Sequence, residues 1–398
     1  MNIIERKKYI EKLTPFIGKS IIKVLTGARR CGKTYLLLQL IEKIKNENSE
    51  ANIIYINKES AEFRNLINHT ALYEYVKSKS DSTRKNYVFV DEIQEIEKFE
   101  IALRELLSEN YDIYCTGSNA RMLSSDLATL LSGRYIEIPV YSLSYAEFLQ
   151  FHQLQNTKET LLKYIKYGGL PYLIHLPMDD EIVYQYLQSV YNTIILKDIV
   201  WRYNIRDVDF LNRLIIYLAE NTGNYVSAKK ITDFIKSQKL HLSINSVQNY
   251  LHYLANAFFV DQVKRYDIRG KKVFEVNEKY FFRDLGLKHA VLPFQPNDLG
   301  KIMENLVYNH LIVNDYKVYI GKFDDKKIDF YAVRGTEILY VQVAYLLPDQ
   351  STYEREFGNL LKIEDNYRKM VVTADEFAQG QYKGIEHIYI LDFLTRKL

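Results

Sequence analysis

The sequence predicts a multidomain chain: an α/β domain with a parallel sheet, then an α-rich domain, then a smaller α+β domain. Three observations carry this reading. Residues 21–26 are an apolar, β-branched run, followed by Gly27-Ala28-Arg29-Arg30-Cys31-Gly32-Lys33-Thr34 and a helical pattern opening at Tyr35. Residues 87–90 form a second apolar strand that ends in adjacent carboxylates, Asp91 and Glu92. Beyond residue 143 the short strands give way to helices, and beyond Gly300 strands return. A length of 398 residues exceeds one ordinary core, so two or three domains are expected.

In the first domain, strand, glycine loop and helix N-terminus make the geometry of a phosphate cradle. Glycines let backbone N–H groups wrap phosphates, and the helix end adds partial positive charge. The whole loop from Gly27 through Ala28, Arg29, Arg30, Cys31 and Gly32 to Lys33, Thr34 and Tyr35 is therefore the expected nucleotide contact. Lys33 is placed to reach the β- and γ-phosphates, and the Thr34 hydroxyl to hold Mg²⁺. Residues 52–57 give another strand. Asp91, on a strand expected to lie next to the loop strand, suits the second Mg²⁺ position, and Glu92 suits a general base that polarises water. The expected cofactors are ATP and Mg²⁺.

A further strand, 111–116, ends in Gly117-Ser118-Asn119. Ser118 and Asn119 are candidate readers of a γ-phosphate, although Gly-Ser-Asn is also good turn chemistry. Arg134, just before a strand at 135–139, is a candidate for stabilising transition-state charge in cis or in trans, or a plain solvated arginine. Arg29, Arg30 and Arg121 have weaker claims to that role.

Composition removes other classes. No apolar stretch approaches a membrane span, and the N-terminus has no apolar secretory core or small-residue cleavage site. Cys31 and Cys115 are the only cysteines, so a disulfide framework or a cysteine zinc site is excluded and a reducing cytoplasm is expected. Net charge is only +3, but residues 224–290 hold twelve Lys/Arg against six Asp/Glu, which points to an anionic partner.

The stretches GARRCGKTYLL, YVFVDEIQEIEKFE and YDIYCTGSNARMLSSDLATLLSGRYIEIPVYSLSYAEFL resemble the AAA-type ATP-binding proteins of bacteria and archaea that carry a C-terminal domain of unknown function. The resemblance continues through YIKYGGLPYL, ILKDIVWRY and KYFFRDLGL to the C-terminus. It implies a P-loop nucleotide-binding domain at 1–142, a helical lid and linker at 143–205, a winged-helix domain at 206–292 and a restriction-endonuclease-like domain at 297–398.

The residues of the middle agree with that partition. Gly168-Gly169-Leu170-Pro171 must stop a helix. Helical patterns at 208–221, 227–239 and 243–259 precede a hairpin at 263–276 that turns around 267–270, the order of a winged helix. The third helix would lie in a DNA major groove, presenting Asn245, Gln248, Asn249 and His252. Lys264, Arg265, Arg269, Lys271 and Lys272 on the hairpin suit phosphate contacts. The third helix has no Arg or Lys, so docking of a protein partner stands beside DNA contact.

From Gly300 the pattern is a helix with Glu304, strands at 318–321, 327–333 and 338–345, a helix at 351–364, and strands at 369–373 and 388–391. This resembles the PD-(D/E)XK nuclease core. Glu304 and Asp329 match two carboxylate positions, but the third motif reads Gln342-Val343-Ala344. Gln342 is a weaker Mg²⁺ ligand than a carboxylate, and Ala344 offers neither base nor cation, so the site is expected to be degenerate. The expected function is an ATP-hydrolysing switch contacting DNA or a protein. An ATP-gated Mg²⁺-dependent nuclease and a signalling protein with little turnover are the alternatives.

Overall fold

The computed structural model describes residues 4–120, 131, 133–237, 243–347, 349–377 and 379–398. It has two compact units, residues 1–142 with 256–258, and residues 143–255 with 259–398.

In the first unit α1 (Lys7–Leu13) precedes β1 (Ile22–Thr26), α2 (Lys33–Glu47), β2 (Asn52–Asn57), α3 (His69–Lys79), β3 (Asn86–Asp91), α4 (Phe99–Ser108), β4 (Asp112–Gly117) and β5 (Tyr135–Pro139). The five strands pair in the order β2-β3-β4-β1-β5, all parallel. A parallel sheet is covered on both faces, so its strands read as continuous apolar runs; β1 and β4 are buried along their whole length. On one face α2 packs Leu36, Leu40 and Ile44 with Leu25, Phe89 and Tyr114. On the other, α3 and α4 set Leu72, Val76, Leu103 and Leu106 with Val24, Val88 and Ile113. Each such side chain contributes about 1.5–3 kcal/mol by leaving water. One expectation is corrected here: β3 is not next to β1, because β4 lies between them.

The second unit opens with α5 (Tyr145–His152), α6 (Lys158–Tyr167), α7 (Asp180–Thr193), α8 (Val208–Glu220), α9 (Ala228–Ser237) and α10 (Ile244–Asn256). Next come β6 (Val260–Asp267), β7 (Lys272–Phe282), α11 (Leu285–Val291), α12 (Leu299–Val313), β8 (Lys317–Phe323), β9 (Lys326–Arg334) and β10 (Glu337–Ala344). The chain closes with α13 (Gln350–Leu361), β11 (Arg368–Thr373), β12 (Gln379–Tyr382), β13 (Ile385–Tyr389) and α14 (Ile390–Thr395). The eight strands pair in the order β12-β13-β11-β10-β9-β8-β6-β7. Where the sequence suggests a strand at 388–391, the strand ends at Tyr389 and α14 begins.

This sheet crosses one expected boundary. The hairpin β6-β7 is no separate wing: Arg265, Tyr266 and Asp267 on β6 pair in parallel with Ile320, Gly321 and Lys322 on β8. A division between 292 and 297 would cut through one sheet. Residues 143–205, expected as a lid and linker, pack within the second unit. Gly169 N–H donates to Asp284 Oδ2 at 3.0 Å, and the His289 ring nitrogen lies 3.0 Å from the Ile165 carbonyl. Gly168 ends α6 at φ +75°, and a Cβ there would meet Asp284 Oδ1 at 2.1 Å. Both the left-handed backbone and the close approach demand glycine.

Candidate functional site: a phosphate loop and a closed carboxylate cluster

The loop from Gly27 to Gly32 joins β1 to α2 at the C-terminal edge of the first sheet. Gly32 has φ +101°, a conformation that favours glycine, and leads into Lys33 as the first residue of α2. Gly27 serves packing instead, because a Cβ there would lie 2.1 Å from the Val140 carbonyl oxygen. Lys33 is buried, its Nζ donating to the carbonyls of Gly27 and Ala28, each at 3.0 Å. Neutral carbonyl oxygens hold an ammonium more weakly than phosphate oxygens do, so this lysine is poised to exchange partners.

Although β4 separates β1 from β3, the site still closes. α2 begins near the strand ends, and Thr34 Oγ1 donates to Asp91 Oδ2 at 2.7 Å. The intervening strand contributes Thr116, whose hydroxyl donates to Asp91 Oδ1 at 2.5 Å and accepts from the Glu92 backbone N–H at 2.9 Å. Sequence reasoning missed Thr116; its position at the end of an apolar strand, before the Gly-Ser-Asn turn, was the available signal. Burial pushes the Asp91 carboxyl above its usual range, against the hydrogen bonds from Thr116 and Thr34.

Glu92 adopts the left-handed region at φ 55°, ψ 52°, a conformation that costs a non-glycine residue about 1–3 kcal/mol and persists only where its surroundings enforce it. Its carboxylate lies 3.7 Å from Lys33 Nζ. Burial would raise this carboxyl, but Lys33 and Arg29 outweigh that effect and hold it below the ordinary range. The Gln94 side-chain amide donates to Glu92 Oε2 and, at 3.1 Å, to Ser118 Oγ. Gln94 Oε1 is buried with no hydrogen-bond partner. A buried acceptor beside a carboxylate fits a site that takes a polar ligand or water.

Other expected residues divide clearly. Ser118 and Asn119 are both buried at the end of β4. Arg29 is buried and reaches Glu59 at 2.8 Å, whereas Arg30 and Tyr35 are exposed. Arg134 is not brought to its own loop. It is exposed, and its carbonyl accepts from Ile22 N–H at the start of β1, with the whole strand between it and Gly27. Five strand residues span about 16 Å. Arg121 lies outside the described residues.

In the second unit Asn245, Gln248, Asn249 and His252 are exposed on α10. Gln248, Asn249 and His252 line a cavity of about 490 Å³ with Lys229, Glu278 and Tyr280. Lys264, Lys271 and Lys272 are exposed on the hairpin, while Arg269 pairs with Asp324 at 2.9 Å. Arg265 is half-buried against Tyr225 and Phe274, its guanidinium carbon 5.3 and 5.2 Å from their ring centres.

Glu304 on α12, Asp329 on β9 and Gln342 on β10 do come together. Gln342 Oε1 accepts from Asp329 N–H at 3.2 Å, and Asp329 Oδ2 accepts from Val343 N–H at 3.0 Å. Two lysines join them. Lys327 Nζ lies 2.8 Å from Asp329 and 3.8 Å from Glu304. Lys279 from β7, its side chain fully buried, pairs with Glu304. Burial pulls Lys279 down and pushes Glu304 up; for Lys327 burial acts downward too, but Asp329 and Glu304 outweigh it and raise the group.

A model described as an AAA domain matches residues 19–149, and one described as a domain of unknown function, DUF8612, matches 158–298. An uncharacterized protein of Haemophilus influenzae is 37% identical over 401 aligned positions that cover 99% of each chain. The chain belongs to its family. A second member, an uncharacterized protein of Methanocaldococcus jannaschii, is 30% identical over 89% of this chain and 82% of its own. The structure is similar to the Walker-type ATPase PABY2304 of Pyrococcus abyssi, with a TM-score of 0.53 and 16% identity over 73% of this chain and 96% of that one. That likeness is one of fold. The AAA domain is thus a P-loop α/β domain whose loop, Asp91 and Glu92 stand together at one sheet edge. Among the described residues, no helix is long and apolar enough to cross a membrane.

Proposed function

We propose that this protein binds and hydrolyses ATP, and that the nucleotide state governs contacts made by the second unit. One observation carries this reading: Thr34, Thr116 and Asp91 form a hydroxyl–carboxylate–hydroxyl set directly beside Glu92 and Lys33. The donor set fits Mg²⁺ with nucleotide. Thr34 and Asp91 would hold the hydrated ion, Lys33 and the loop amides the phosphates. The bound ion supplies charge neutralisation between phosphate oxygens. Glu92, kept ionised by Lys33 and Arg29, accepts a proton from water, and Gln94 orients the carboxylate against Ser118. Asn119 and Ser118, buried at the same strand end, would read the γ-phosphate.

The exposed amides of α10 and the lysines of the β6-β7 turn favour DNA as the second unit's partner. A protein partner is the other reading, favoured by the acid Glu278 and the apolar Ile244 and Leu251 in the same cavity lining. Arg134, exposed and distant from its own loop, would act only on a neighbouring copy.

Steady-state phosphate release from ATP, with and without single- and double-stranded DNA, tests the reading. Mg²⁺-dependent turnover stimulated by DNA is the expected result. Absence of turnover under all conditions would refute hydrolysis, and anisotropy-measured DNA affinity that ignores salt would refute a phosphate-contacting surface.

A further inference from the structure

Two carboxylates aimed at one point, from α12 and β9, need positive charge between them. A divalent cation would satisfy Glu304 and Asp329 with about six oxygen ligands close around it. The second unit supplies the charge from its own chain instead. Lys327 stands two residues before Asp329 on β9, on the same face of the strand, and bridges both carboxylates. Lys279 arrives from β7, the strand that the hairpin adds to the sheet, and is buried against Glu304.

The arrival of Lys279 is fixed by the residue next to Glu304. Asn305 accepts from Phe282 N–H at 2.9 Å and donates to the Phe282 carbonyl at 2.8 Å, tying the end of β7 to α12. Overhead, the backbone at Gly223 passes so closely that a Cβ would sit 3.4 Å from Glu304 Oε2. Gln342 Oε1 already accepts from Asp329 N–H, and Asp329 Oδ2 from Val343 N–H. Ala344, at the place where the nuclease pattern carries a cation, is matched by two cations from other strands.

We propose that Lys279 and Lys327 are the resident counter-cations of this site, taking the place of a divalent ion and closing it to metal. Two ammonium groups carry the charge of one dication and donate hydrogen bonds to the same carboxylates, but they are covalently anchored and cannot be released. The cluster then acts as a charge clasp joining β7, α12 and β9, and the second unit cannot use Mg²⁺ to cleave a phosphodiester. The proposal is independent of whether the AAA domain hydrolyses ATP.

The test is Mn²⁺ binding, followed by electron paramagnetic resonance, to nucleotide-free full-length protein carrying Asp91→Asn, so that the first unit's carboxylate does not contribute. This parent is expected to show the same binding with and without Asp329→Asn. Lys279→Met/Lys327→Met in the same background should gain a site, about tenfold or more tighter than any in the parent, on the scale of removing two positive charges within 4 Å. Adding Asp329→Asn should abolish that gain. An Asp329-dependent Mn²⁺ site in the parent, or no gained site in the folded double variant, overturns the proposal. If the double variant does not fold, Lys327→Gln, at a partly exposed position, is compared with the parent by thermal unfolding. A Mn²⁺-dependent rise only in the variant supports the proposal, and no rise contradicts it.

Discussion

The Asp91 site of the first unit and the Asp329 site of the second each set a buried aspartate on a strand, a glutamate nearby and a lysine within reach. They differ in what touches the aspartate. Around Asp91 the partners are the hydroxyls of Thr34 and Thr116, which can remain when a cation arrives, and Lys33 is held 3.7 Å from Glu92 and bonded to loop carbonyls. Around Asp329 the side-chain partner is Lys327 at 2.8 Å, beside the Val343 N–H, with Lys279 on Glu304. Hydroxyls leave a carboxylate free to recruit a dication; ammonium groups do that work themselves. Partner type, more than the presence of acids, separates a site held open from one already filled.

The sharpest way to break this comparison is at the catalytic pair. Glu92→Gln is expected to cut ATP turnover by about 10²–10⁴-fold while leaving nucleotide affinity within a few-fold. Wild-type turnover in that variant would remove Glu92 from its role. Lys33→Ala should weaken binding of a fluorescent ATP analogue by about 100-fold, the scale of a lost charge-assisted contact.

Thr116→Val probes the partner-type argument itself. It removes one hydroxyl from Asp91 and the acceptor for Glu92 N–H, so turnover should fall by about tenfold, with part of the loss recovered at higher Mg²⁺. A variant indistinguishable from wild type in a Mg²⁺ titration would show that the second hydroxyl is irrelevant.

The smallest effect concerns stability. Asp91, held above its solution value of about 3.9, binds its proton more tightly folded than unfolded, so its contribution to stability falls as pH rises through that window. Asp91→Asn should therefore raise the melting temperature of nucleotide-free protein at pH 7 by about 2 °C. The gain should vanish near pH 4, where the native carboxyl keeps its proton. Melting curves at the two pH values check it; a lower melting temperature at pH 7 would mean the carboxylate stabilises the empty site.

The legible parts of the molecule were those set by local chemistry. A glycine loop after an apolar strand can be read because Gly32 needs a left-handed backbone and β1 is buried throughout. Asp91 and Glu92 were legible as charges ending such a strand. What sequence order does not encode is lateral strand order, so Thr116 on the intervening β4 was missed and β3 was expected beside β1. The same gap hid the union of the β6-β7 hairpin with β8, and with it the source of Lys279. Lys327 stands two residues before Asp329 in the sequence, but its reach to both carboxylates depends on where α12 crosses the sheet.

The most direct test of the contrast counts Mn²⁺ bound to the full chain with a non-hydrolysable ATP analogue. The account predicts a single ion, lost in Asp91→Asn and retained in Asp329→Asn. A second ion, or loss of binding in Asp329→Asn, would contradict it.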